Sequence, residues 1–165
     1  MTKTLFNPIL FSFICSRNLN LIIMLIPIGS DHAGFELKTK IIQHLKAKGF
    51  TLEDKGCYSE ASIDYADYAH PVATLVESTP GMKGILLCGS GNGINMTANK
   101  HQGVRSALCW SPEIAKLARE HNDANILTLP ARFLTEEVAL EIVDIFFSTA
   151  FEGGRHENRI EKIPC

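Results

Sequence analysis

The chain has 165 residues, about one domain's worth, with 16 Lys plus Arg against 18 Asp plus Glu for a net charge of −2. Its 45% hydrophobic and 21% charged residues are ordinary globular values, which exclude a disordered chain, a collagen-like repeat and a polytopic membrane protein. Without a basic surplus it is not built to neutralise nucleic-acid phosphates, so neither nucleic acid nor membrane is an expected partner.

Residues 1–23 stand apart. They hold Lys3 and Arg17 and no acid, leaving the remainder at −4. A basic residue followed by the apolar stretch Leu5–Cys15 hints at a targeting signal, but Asn7 and Pro8 interrupt it and no cleavage-site pattern follows. Met24 lies directly before the apolar run Leu25–Ile28, so the expected division is an N-terminal extension, a mis-assigned start, over 1–23 and one enzyme-like domain over 24–165. The cysteines Cys15, Cys57, Cys88, Cys109 and Cys165 are scattered and form no C-x-x-C pair. They read as reduced thiols of a cytoplasmic protein, not as disulfides or a zinc site.

From Met24 onward short apolar runs alternate with amphipathic stretches. Leu25–Ile28 predicts a strand, Phe35–Lys48 a helix stopped by Gly49, and Phe50–Leu52 a second strand. A helix with an irregularity at Pro71 fits 64–77, and Gly84–Cys88 has the fully apolar pattern of a buried parallel strand. A glycine loop, a helix at 94–100 and a strand at 104–109 follow. Ser111-Pro112-Glu113 has the residues of a helix start, running to His121-Asn122-Asp123. Asn125–Leu129 is a fifth strand, and Thr135 caps a last helix ending near Thr149. Repeated strand–helix units of this length predict a single α/β domain: a three-layer αβα, Rossmann-like fold on a five-stranded parallel sheet.

In such sheets ligands bind beyond the carboxyl ends of the strands, where the polar clusters of this sequence fall. Cys88-Gly89-Ser90-Gly91-Asn92-Gly93 is the most informative, because three glycines before a helix can turn backbone N–H groups inward as an anion nest. Ile94 stands where a dinucleotide fingerprint needs its third glycine, and no Gly-Lys-Ser/Thr closes a Walker loop, which argues against NAD and ATP. The plain alternative is a tight strand–helix turn. Cys88 is either a small buried hydrophobe or a thiolate favoured by the nest, while Cys57, Cys109 and Cys165 read as structural. Arg155 and Arg159, four apart, would share one helix face able to clamp a phosphate; a solvated basic face is the alternative. His44, His70, His101 and His156 have no convergent partner in the sequence and read as surface residues, and no His/Cys/Asp spacing has the form of a metal site.

Taken together, Ser30-Asp31-His32-Ala33-Gly34, Asp64-Tyr65, Cys88 to Gly93, Ala98-Asn99-Lys100, His121 to Asn125 and Glu152 to His156 with Arg159 resemble the type B ribose-5-phosphate isomerases, of the RpiB/LacAB sugar-phosphate isomerase family. The resemblance spans Met24 to Ile163 with motif order intact. It implies interconversion of ribose 5-phosphate and ribulose 5-phosphate through a cis-enediolate, in the non-oxidative pentose phosphate pathway, without metal or redox cofactor. Cys88 then matches the base moving a proton between C1 and C2, and Gly89, Ser90, Gly91, Asn92 and Gly93 the oxyanion nest. His121 matches the residue that opens the furanose, Asp31 and Asn122 sugar contacts, and His32, Arg132, Arg155 and Arg159 phosphate and sugar contacts; Arg132 is not recognisable from spacing. Tyr65 would wall the pocket. Ile94 stands where another branch of the family carries a glutamate base, so the sequence looks like the cysteine branch. The resemblance also implies a homodimer or tetramer with shared sites, His121 entering the partner's pocket. Galactose 6-phosphate or allose 6-phosphate isomerisation, or a non-catalytic phosphate-binding module, are the alternatives.

Overall fold

The computed structural model describes residues 25–164. The expectations for the 1–23 extension, for Met24 and for Cys15 and Cys165 lie outside the described residues.

Five strands are built from the apolar runs: β1 (Leu25–Ser30), β2 (Thr51–Asp54), β3 (Gly84–Cys88), β4 (Ser106–Leu108) and β5 (Ile126–Pro130). They form one sheet in the order β2-β1-β3-β5-β4, every neighbouring pair parallel. The helices are α1 (Phe35–Ala47), α2 (Ala66–Ser78), α3 (Asn92–Ala98), α4 (Pro112–Asn122), α5 (Glu136–Ser148) and the short α6 (Glu157–Ile160). Strand residues alternate between two cores. Ile26, Ile28, Ile85, Leu87, Leu127 and Leu129 pack under α1, α4 and α5. Leu86, Cys88 and Ile126 pack under α2 and α3. The expected three-layer, single-domain αβα fold is therefore observed, with both sheet faces covered as a parallel sheet requires.

Several element ends differ from the sequence reading for local reasons. β4 begins at Ser106 instead of 104, because the Arg105 amide donates to the Asn125 side-chain oxygen at 2.8 Å and is bent out of the ladder. The glycine loop winds into α3 at Asn92, two residues earlier than expected. Pro71 sits inside α2 without ending it, on the exposed face where the carbonyl it leaves unbonded meets water. The Ser111 and Thr135 caps form as expected, each side-chain oxygen accepting an amide three residues on.

The sheet order places the site. The chain runs from β1 outward to β2, then crosses back over β1 to β3, so the winding direction reverses between β1 and β3. Their continuations, α1 and α3, lie on opposite faces and open a crevice at the carboxyl ends of these strands.

Candidate active site

Cys88 ends β3 at that crevice and is 7% exposed. Next to it β1 ends and Asp31, 6% exposed, takes over the chain: its amide donates to the Leu87 carbonyl at 3.1 Å, and its Oδ1 accepts the Gly34 N–H at 3.0 Å. Thiol and carboxylate are thus held together by backbone contacts. Burial first, and then the hydrogen bond to Asp31 and its negative charge, push the Cys88 thiol up, while the amides of Gly91 and Ser90 pull it down. Burial and Asp31 thus act against the nest amides at this thiol.

The glycine loop turns the amides of Ser90 and Gly91 toward Cys88. Gly91 has φ +75°, and a Cβ there would press on Leu108, so only glycine turns this corner at no cost. At Gly93 the requirement is proximity: the Tyr65 ring lies where a side chain would go, 2.5 Å from an ideal Cβ. Tyr65, 42% exposed, therefore roofs the nest, consistent with a pocket wall. The Asn92 amide donates to Ser90 Oγ at 3.4 Å, and Ser90 and Asn92 are exposed at the crevice. Buried Gly89 bonds through its carbonyl to the Arg132 amide at 3.1 Å, and the guanidinium Nε lies 3.2 Å from where a Gly89 Cβ would stand. The turn after β5 thus carries Arg132 to the nest, a juxtaposition made by β3–β5 pairing and invisible to local spacing. His32 is oriented by its own partner: the Ile63 amide donates to Nδ1 at 3.4 Å, which leaves Nε2–H free to donate to an anion.

The remaining predicted residues lie at the other end of the sheet. α4 runs back from the carboxyl edge and ends at Asn122, beside the start of β5. Arg105, just before β4, donates to the carbonyls of Asn122 at 3.0 Å and Asp123 at 2.8 Å. Arg119, buried, holds Asp123 Oδ1 at 2.8 Å and the Ala124 carbonyl at 2.6 Å. This fixes the His121–Asn122 corner at the amino edge of the sheet. Across β5, Cys88 and this corner are separated by roughly 13 Å of strand, at about 3.3 Å per residue. One chain does not bring Cys88 and His121 together.

The C-terminal segment joins this second cluster, its Glu152 amide donating to the Glu120 carbonyl at 3.1 Å. Arg155 lies in a 3-10 turn and Arg159 in α6, both exposed. His156 is not the surface residue expected: it is 3% exposed and stacked on His121, ring centroids 4.4 Å apart and planes 5° from parallel. Its Nε2 accepts from Arg155 Nε at 3.4 Å, and Glu152 lies 3.7 Å from it and 4.0 Å from His121. The three ligand atoms of His121, Glu152 and His156 lie within 4.8 Å of one another. Parallel stacked imidazoles aim their lone pairs along separate planes, however, so the rings as placed offer no shared coordination point. The other histidines expected at the surface also have partners: His44 meets Asp144 at 2.8 Å, and exposed His70 meets His101 at 2.9 Å, itself paired with Glu77 at 3.1 Å.

Known proteins place the chain in a family. The sequence pattern described as Ribose/Galactose Isomerase matches residues 26–163. The chain is 44% identical over 138 residues to ribose-5-phosphate isomerase B of Escherichia coli strain K12, covering 84% of this chain and 93% of that protein. It is similar in structure to a ribose 5-phosphate isomerase from Thermotoga maritima, with a TM-score of 0.83 and 53% identity over 86% of this chain and 97% of that one. It is also similar to ribose-5-phosphate isomerase B from Mycoplasma genitalium with bound ribulose-5-phosphate, with a TM-score of 0.82 and 48% identity over 84% and 93% of the two chains. By the match to its pattern and by these relatives, the chain belongs to the ribose/galactose isomerase family, on its type B ribose-5-phosphate isomerase branch.

Proposed function

We propose that the protein interconverts D-ribose 5-phosphate and D-ribulose 5-phosphate through a cis-enediolate, as a step of the non-oxidative pentose phosphate pathway. The observation that carries this is Cys88, a thiol on a glycine nest at the switch point of the sheet, in a chain that matches isomerases of this type over nearly all its described length.

On this reading the steps run as follows. His121 accepts the anomeric hydroxyl proton and returns one to the ring oxygen as the C1–O4 bond breaks, giving the open aldehyde. Cys88, as thiolate, takes the C2 proton and returns it to C1, and a proton passes from O2 to O1. Backbone N–H groups of Gly89 to Gly93 and the Ser90 hydroxyl hold the oxygen on which negative charge builds. Asp31 has a second task. Its carboxylate raises the Cys88 thiol; a sugar hydroxyl donating to Asp31 would weaken that effect and favour the thiolate. His32 and Arg132 at the nest, and Arg155 and Arg159 at the opposite edge, bind phosphate and sugar by charge-assisted hydrogen bonds, with Asn122 a further sugar contact.

The separation of Cys88 from His121 supports a homodimer, alone or paired into a tetramer, in which the amino-edge cluster of one copy faces the nest of the other. Exposed Met96, Trp110 and Phe133 supply apolar surface for such a contact. Among the described residues no helix is long and apolar enough to cross a membrane. The reduced thiols support a cytoplasmic setting. The deciding test is a side-by-side turnover assay on five- and six-carbon aldose phosphates. Ribose 5-phosphate is expected to be converted fastest; preference for a galactose or allose 6-phosphate would move the assignment within the family, and no turnover of any would end it.

A further inference from the structure

His156 has no part in the steps above, yet it is stacked against His121, which has. His156 is buried, its Nε2 accepts from Arg155 Nε, and its ring lies flat against His121, which is half-exposed on the last turn of α4. The charged groups around it are His121 from α4 and Glu152, Arg155 and Arg159 from its own segment. Burial, then the positive charges of His121, Arg155 and Arg159, hold the His156 imidazole below its usual range, and Glu152 opposes them. These contacts favour the neutral form of His156. A histidine that shuttles a proton to a ring oxygen must present its nitrogen along a fixed line, and a side chain on a helix end has two free torsions to restrain.

We propose that His156 is a positioning residue for ring opening: stacked beneath His121, it fixes the plane in which that imidazole meets the sugar. This rests on the isomerase reading. It separates two partial reactions. Ribulose 5-phosphate has its 5-hydroxyl esterified and no furanose to open, so exchange of its C1 proton with solvent deuterium needs Cys88 and the nest but not the stack. Conversion starting from the ribose 5-phosphate furanose needs both.

The experiment measures conversion and C1 deuterium exchange, by NMR, for wild type, His156→Ala and His156→Phe. The Ala variant is expected to lose about 10- to 100-fold in conversion, the scale of a misplaced catalytic group, while exchange stays within about 3-fold. His156→Phe, which keeps a flat ring, is expected to recover most of the conversion. Should circular dichroism show the Ala variant unfolded, His156→Asn takes its place. Unchanged conversion, an equal fall in both reactions, or no recovery with Phe overturns the proposal. A wild type with neither conversion nor exchange overturns the isomerase reading and this role with it; an active wild type with an unaffected variant overturns only this role.

Discussion

The two edges of the sheet solve different problems with different materials. At the carboxyl edge the groups are buried or made of backbone: Cys88, Asp31, and the amides of a glycine loop held by strand pairing. At the amino edge they are long side chains, exposed Arg155 and Arg159 around a histidine pair, on a corner tied down by Arg105 and Arg119. The first arrangement suits stabilisation of charge that develops during reaction, because fixed dipoles need no reorganisation. The second suits capture of a charged substrate from water, because guanidinium groups keep their charge at any working pH. In the proposed homodimer each edge would serve one task, and a second copy would bring them together.

The sharpest break between the edges is Cys88→Ala. Loss of the base is expected to lower turnover by about 10³-fold, with binding of ribose 5-phosphate, followed by calorimetry, little changed. Binding lost in parallel would mean that the thiol is part of the packing rather than the chemistry. Next in size is complementation. Cys88→Ala and His121→Ala are each expected to be nearly inactive, yet co-expression should restore about a quarter of wild-type activity, since about half of randomly paired dimers are mixed and each of those holds one intact site. No recovery would place both residues in a site within one chain.

A smaller effect sharpens the account of the carboxyl edge. Asp31 raises the Cys88 thiol, so Asp31→Asn is expected to move the midpoint of its pH-dependent alkylation by iodoacetamide to lower pH; a midpoint that stays or rises would remove Asp31 from the thiol's control. Cys109 gives the weakest and cleanest contrast. It also follows a strand at this edge, but burial alone pushes it up to about 12 from 9.0. The folded state holds this proton more tightly than the unfolded chain, so its contribution to stability is whole below about pH 9 and falls away as pH rises toward 12. Cys109→Ala should therefore flatten the alkaline side of a stability–pH curve measured by urea melts, while Cys88→Ala changes it less.

Much of this was legible in the residues. Apolar runs at Leu25–Ile28 and Gly84–Cys88, with amphipathic stretches between them, specify a parallel α/β sheet because both faces of each strand must be buried. The glycine loop announced the nest, since glycine concentrates where backbone must turn tightly or come close to another group. What stayed hidden depends on contacts distant in sequence. Arg132 reaches the nest only because β5 pairs with β3, and His156 is buried only because its segment folds onto the end of α4. Lys38 of α1 is fully buried against Asp54 and the Cys57 carbonyl, bracing the loop that follows β2, a contact between residues far apart in sequence. The influence of Asp31 on Cys88 stayed hidden for the same reason: Asp31 lies far away along the chain and beside it in space.

The outer strands of the sheet have a consequence for how copies meet. β2 is four residues long and ends in Glu53 and Asp54, and β4 has only three, preceded by an arginine whose head is already engaged. Neither rim offers the long, flat, uncharged ladder on which a foreign strand could grow. In the proposed homodimer the contact would then run through side chains of helices and loops, a mode that can be tuned residue by residue.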